Sequence, residues 1–465
     1  MTFPENRYAP LRRRLQALLA SAPIEPPDAL LSVTVPWPEL RDLHPAPAGD
    51  GGVYWARPAR SQYRLGAGHA ARFTAEGSQR LPLLERTLGR WRSHWRHLNP
   101  DGLALAPHAF LAFAFAADDP CGGPWSEFPN AMAQVPELLL QRNGDTYGIT
   151  FTTPWPAASA AAQLADSWCA RLDDLLRTLR EPAQPAACPT PLARTAWEPG
   201  DGEWLARVAA AQADMAAGQL EKVVLSRRVR VQAPHDLQLP RLLAALAYRH
   251  PCCTHLAISM ATTTLLAATP ERLAVLTGSE VESDALAGTI PRAPDERVDS
   301  ELGERLLADP KSRAEHRLVV EAVAAALGPL CEDVAAPAAP VLAKLRSLQH
   351  LWTPVRGHLR NGAGLLDLAG LLHPTPAVGG TPRPAAMAWL RDHGESERGW
   401  YTGAAGWMDA AGDGELSVIL RCALVQGARA ELFAGAGIVA DSDSAGELEE
   451  TELKLQAMLE VLADG

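Results

Sequence analysis

The chain of 465 residues predicts an α+β fold. Two observations carry that expectation. Strand-like runs follow one another without a helix between them, at 254–260, 264–268 and 273–277 and again at 403–408, 415–424 and 430–434. Two long helical periods, 313–327 and 445–462, stand apart from those runs, whereas a doubly wound parallel sheet would alternate strand and helix throughout.

Arg12, Arg13 and Arg14 precede Leu15, Leu18 and Leu19, whose spacing suits an amphipathic helix and is too short and broken for a signal peptide. Strands follow at 109–115, 138–140 and 147–152, and helices at 81–98 and 157–179. Four prolines within 181–191 mark a loop. The chain therefore divides into a scaffold region 1–182, a Pro-rich connection 183–200, and a region 201–465 that holds every concentrated polar motif and is free to close on the first as one compact unit. In that last region a helix at 204–218 leads into a strand at 222–231, and a helix at 240–249 precedes the first cluster of strands.

The composition, 47% hydrophobic and 21% charged, is that of a soluble globular protein. A formal net charge of -11 disfavours nucleic acid and anionic membrane as partners. Seven scattered cysteines, with no CxxC and an odd count, fit a reducing cytoplasm. No run approaches the roughly 18 apolar residues of a membrane span.

Of the 43 basic residues only Lys222, Lys311, Lys344 and Lys454 are lysine. Arginine stays charged, whereas a desolvated lysine can lose its proton and act as a base. Lys222 opens the apolar strand 222–229, where alternation puts Val224, Ser226 and Arg228 on its face. A solvated strand-end lysine is the competing reading, which the arginine bias makes the weaker one. Glu271, behind Pro270 and between two strands, is a candidate acid if burial raises its pKa; a surface carboxylate paired to Arg272 is the competing reading, favoured on that segment alone. Glu447, Glu450 and Lys454 share one helical face, and Glu315 stands early on the other long helix. Carboxylates without Cys or His beside them suit a hard ion such as Mg²⁺, against the equal alternative of a solvated acidic face. Gly288-Thr289, Gly379-Gly380 and Gly435-Ala436-Gly437 mark places where backbone can approach a ligand. The last lacks the third glycine of a dinucleotide fingerprint, and there is no Walker lysine or GxSxG. His373 is a ligand contact or an ordinary hydrogen-bonded histidine.

In order, nine segments resemble the chorismate-utilising enzymes (the anthranilate synthase component I-like family), its isochorismate synthase branch most closely. They include Glu221-Lys222-Val223-Val224-Leu225-Ser226-Arg227, Thr269-Pro270-Glu271-Arg272-Leu273, Ala285-Leu286-Ala287-Gly288-Thr289, Gln349-His350-Leu351, Leu372-His373-Pro374, Leu420-Arg421 and Glu450-Thr451-Glu452-Leu453-Lys454. The resemblance is dense over 221–462 and loose before it. It implies two sheet-containing halves around one site, with helices outside. It implies that Lys222 activates water to attack C2 of chorismate and that Glu271 protonates the departing C4 hydroxyl. Glu315 and Glu450, helped by Glu447, would hold Mg²⁺. Gly288, Thr289, His373, Tyr401, Arg421, Gly435, Gly437 and Lys454 would grip the substrate. Lysine rather than glutamine at 222, and no lysine within 285–289, favour water over ammonia as nucleophile, so no glutamine amidotransferase subunit is expected; a monomer is. A salicylate synthase, which also eliminates pyruvate, shares these residues. Leu448 departs from the aromatic residue common there. A catalytically silent scaffold is the remaining alternative, against which the joint presence of Lys222, Glu271, Glu315 and Glu450 argues.

Overall fold

The computed structural model describes the chain except residues 1–7, 22–28, 44–45, 48, 156–159, 180–188, 347, 361, 396 and 465. Two large sheets form its centre. The first, of 13 strands, runs from the edge Ala193–Glu198 through Lys222–Gln232, Arg429–Ile438, Cys422–Gln426, Thr264–Thr269, Thr254–Ser259, Val53–Arg57, Gln62–Ala67, Leu138–Asn143, Thr146–Pro154 and Leu30–Pro36 to Trp95–Leu98, with Gly380–Thr381 paired beside Lys222. The second, of 10 strands, runs Cys331–Ala335, Leu348–Leu359, Glu280–Pro291, Arg272–Thr277, Gly414–Val418, Ala404–Asp409, His108–Phe113, Ala131–Val135 and Ala71–Ala75, with Val341–Lys344 on Leu348–Leu359. Leu30–Pro36 and Trp95–Leu98 are parallel.

The sheets pack face to face over a core that takes Trp55, Leu139 and Leu265 from the first and Phe110, Met132 and Ala405 from the second. Helices cover the outer faces. Ala9–Ser21 and Ala161–Leu179 bury Leu15, Leu19, Trp168 and Leu172 on the first sheet. Ser444–Ala463 and Leu239–Arg249 cover its other end. Arg80–Ser93, Pro310–Leu327 and Leu365–Leu372 cover the second. This is the mixed architecture expected, with both chain regions contributing strands to both sheets. The connection expected over 183–200 lies partly outside the described residues, and its later part includes the edge strand Ala193–Glu198.

Two expectations need correction. The helix expected over 81–98 ends at Ser93, and Trp95–Leu98 is a strand. Tertiary bonds override the helical period there: Trp95 Nε1 donates to Ser32 Oγ at 2.8 Å and His97 Nε2 lies 2.7 Å from Thr34 Oγ1. The strand expected over 415–424 is two strands in different sheets, Gly414–Val418 and Cys422–Gln426. The chain crosses from the second sheet to the first through Ile419, Leu420 and Arg421, and Arg421 has a φ of 46°. The turn at Pro270-Glu271 makes the opposite crossing, from Thr264–Thr269 to Arg272–Thr277. These two crossings position the site.

Candidate active site

One cavity gathers Lys222, Glu271, Gly288, Thr289, Glu315, Tyr401, Arg421, Gly435, Gly437, Glu450 and Lys454. Among the described residues none that lines it precedes residue 222. Lys222 heads a strand whose first four residues are buried, after which burial alternates as the pleat requires. Its Nζ lies 2.5 Å from Glu315 Oε1, and Glu315 comes from the helix Pro310–Leu327. Lys454 Nζ lies 2.7 Å from Glu450 Oε1, one turn away on Ser444–Ala463, and donates to the Gly435 carbonyl at 2.8 Å. Two lysine–carboxylate pairs thus line one cavity. Burial pushes the Glu315 carboxyl up, but Lys222, which also donates to it, with Lys454 and Lys311, outweighs burial and holds it below the usual carboxylate range.

Glu271 behaves oppositely. It is 3% exposed. Burial first, then the charge of Asp284, pushes its carboxyl up to about 8, against the lowering effect of Lys222, Arg421 and Lys454. Near neutral pH it therefore carries a proton. Its position at a sheet crossing turns its side chain into the cavity instead of onto Arg272, whose guanidinium is taken by Asp284.

The crossing at Arg421 presents that guanidinium in the same way. Arg421 Nη2 donates to His350 Nε2 at 3.0 Å, the Cys253 thiol lies beside the guanidinium, and Nη1 is buried without a hydrogen-bond partner among the described residues. Since arginine only donates, His350 Nε2 is the bare nitrogen and Nδ1 carries the proton, which faces Gly288 O at 3.2 Å and Thr289 Oγ1 at 3.1 Å. Burial, and the nearby Arg421 and Lys454 charges, push His350 down to about 3, so it stays neutral. A buried guanidinium with an open donor suits a carboxylate ligand. Gly288 needs its φ of 74°, and a Cβ on Gly437 would stand 2.8 Å from Lys222 Cε.

His373, expected among the substrate contacts, does not line the cavity. It is buried one layer behind, where Nε2 lies 2.7 Å from the Thr402 carbonyl and the ring meets Phe113 and Phe115 edge-on. The histidine in the cavity is His350, which stood within a family-like segment but carried no residue-level signal. Leu286 and Phe433, also in the wall, were equally silent in the sequence because apolar residues inside strands look the same whether they face core or ligand.

Glu447 also stands off the cavity wall, with Oε1 accepting from Ser442 Oγ at 2.7 Å. Burial, and the Glu450 charge, push it up. A half-buried carboxylate crowded by a second one is a place that a cation would relieve, and the donor set is all oxygen. Among the described residues no three of His, Cys, Asp and Glu form a closed metal cage. Two carboxylates, with the remaining positions left to water and an anionic substrate, are nevertheless what Mg²⁺ takes. Glu315 and Glu450 are the residues that fit.

Residues 24–463 match the family described as chorismate binding enzyme. Among curated proteins, the chain is 36% identical over 420 residues to the salicylate biosynthesis isochorismate synthase of Pseudomonas aeruginosa, covering 88% of this chain and 84% of that one. It is 33% identical over 420 residues to isochorismate synthase MenF of Bacillus subtilis, covering 88% and 87%. The structure of MenF, the menaquinone-specific isochorismate synthase of Escherichia coli, superposes with a TM-score of 0.78 at 26% identity over 97% of this chain and 99% of that one. Anthranilate synthase component I of Streptococcus pneumoniae shares the fold, with a TM-score of 0.69 at 20% identity over 86% of this chain and 92% of that one.

Proposed function

The chain belongs to the chorismate-binding enzyme family, and from that premise we propose that it isomerises chorismate to isochorismate by adding water at C2 and releasing the C4 hydroxyl. The observation that carries this reading is the meeting of a lysine and a protonated glutamate, Lys222 and Glu271, in one cavity with two carboxylates and an open arginine donor. Attack by water at one ring carbon and departure of hydroxide at another need a base and an acid together. Glu271, already protonated near neutral pH, gives its proton to the leaving oxygen. Lys222 Nζ donates to Glu315, a contact it leaves in order to act as the base on water. Arg421 and Tyr401 receive a substrate carboxylate, and the backbones at Gly288 and Gly435 shape the walls. Mg²⁺ held by Glu315 and Glu450, with Glu447 behind, would offset the charge of the other substrate carboxylate.

We further read the protein as a cytoplasmic monomer that works without a glutaminase subunit, nucleic acid or membrane. Among the described residues no helix is long and apolar enough to cross a bilayer. The names of the relatives include salicylate biosynthesis and menaquinone-specific and 2,3-dihydroxybenzoate-specific synthases, and the cavity lining does not select among these routes.

The test is incubation of the purified protein with chorismate and Mg²⁺, followed by chromatographic separation. Isochorismate in equilibrium with chorismate, without pyruvate, is the expected result. Salicylate with equimolar pyruvate would move the protein to the eliminating branch, and no conversion would overturn the reading.

A further inference from the structure

Glu271 lies among three cations and one anion. Lys222 faces it from the strand Lys222–Gln232, Arg421 from the second sheet crossing, and Lys454 from the helix Ser444–Ala463; Asp284, on the strand Glu280–Pro291, is the anion. His350 is neutral. Three nearby cations ordinarily ionise a carboxyl. A fourth, Arg272, is the next residue on the chain, yet its guanidinium is drawn away from Glu271. Nε donates to Asp284 Oδ2 at 2.8 Å and Nη2 to Asp284 Oδ1 at 2.6 Å, with Glu282 taking a further bond.

Asp284 is 4% exposed and does not line the cavity. Its Oδ1 also accepts from Trp352 Nε1 at 2.9 Å, and its Oδ2 from the backbone N–H of Arg272 at 3.2 Å. That last bond anchors a buried carboxylate at the peptide unit joining Glu271 to Arg272. Asp284 therefore acts twice on its neighbour: it sets a negative charge beside it, and it sequesters the cation that would otherwise be nearest.

We propose that Asp284 is a positioning residue that keeps Glu271 carrying the proton it donates in the reaction. The proposal rests on the reading of Glu271 as the acid. After burial, the Asp284 charge is the largest influence raising the Glu271 carboxyl.

The test compares Asp284→Asn, which keeps the side-chain volume and an acceptor for Trp352, with the unaltered protein. The Glu271 carboxyl is followed by carbon-13 NMR across pH in glutamate-labelled protein, its resonance identified by its loss in Glu271→Gln. In parallel the pH dependence of kcat/KM for chorismate is recorded. In Asp284→Asn the carboxyl is expected to titrate about one pH unit lower, with the alkaline limb of kcat/KM moving down alongside it. Arg272→Gln, which leaves Asp284 less screened, is expected to move both upward; a merely structural role would not give opposite signs. An unmoved carboxyl titration in Asp284→Asn, or shifts of the same sign in both variants, would overturn the proposal, even if turnover falls. Should the unaltered protein fail to convert chorismate, the functional reading fails, while the carboxyl titration still decides what Asp284 does.

Discussion

Replacing Glu271 with glutamine should change how stability depends on pH, with no substrate present. In the unfolded chain the Glu271 carboxyl ionises near its ordinary value of 4.5; in the fold it holds its proton to about 8. Between those values the folded state binds one more proton than the unfolded state, so stability falls as pH rises. Below 4.5 both states are protonated and the contribution is constant; above 8 both are ionised and it is constant again. At about 1.4 kcal/mol per pH unit, the whole interval amounts to a ceiling of about 5 kcal/mol. Glutamine copies the shape of the protonated acid and has nothing to ionise. The difference in unfolding free energy between Glu271→Gln and the unaltered protein should therefore be flat below pH 4.5, grow in favour of the variant through pH 5 to 8, and level off beyond. Urea denaturation at fixed pH steps measures it. A difference independent of pH over that interval would refute the reasoning, because it would mean that Glu271 ionises as readily in the fold as outside it.

Other expectations concern activity. Lys222→Arg should abolish turnover of chorismate while circular dichroism and thermal unfolding stay close to the original, since arginine keeps the charge opposite Glu315 but cannot act as a base; near-normal turnover would remove Lys222 from that role. Glu450→Gln should raise the Mg²⁺ concentration needed for half-maximal activity by about tenfold or more, with little loss of stability, because the Lys454 pair it breaks is partly solvated; an unchanged metal titration would count against Glu450 as a ligand. In Gly437→Ala the new Cβ, 2.8 Å from Lys222 Cε, must displace the lysine, and a displacement of that kind costs about a hundredfold in kcat. A variant with unchanged kcat would show that Lys222 has room to spare.

The sequence by itself settled what depends on neighbours along the chain. Alternation over 222–231 and helical spacing over 161–179 are local periodicities, and the strand Lys222–Gln232 and the helix Ala161–Leu179 follow them closely. The odd lysines, the Pro-Glu turn at 270–271 and the glutamates on two long helices were legible because charged residues are rare in buried settings, and the cavity contains Lys222, Glu271, Glu315, Glu450 and Lys454 together. What the chain could not disclose is which sheet a strand joins. Residues 415–424 look like one strand, yet the break at Arg421 sends its halves into different sheets, and that crossing alone brings the arginine to the ligand space. The same limit misplaced His373, which a buried carbonyl holds behind the wall, and left His350 without a role, since Arg421, which donates to it, reaches it only across the fold. Nor does spacing reveal that Asp284 folds across a strand pair to the peptide after Glu271. Periodicity fixes which face of an element a side chain takes; partners far apart in sequence, and with them the charge each ionisable group carries, are decided only when the two sheets close on one another and water leaves the space between.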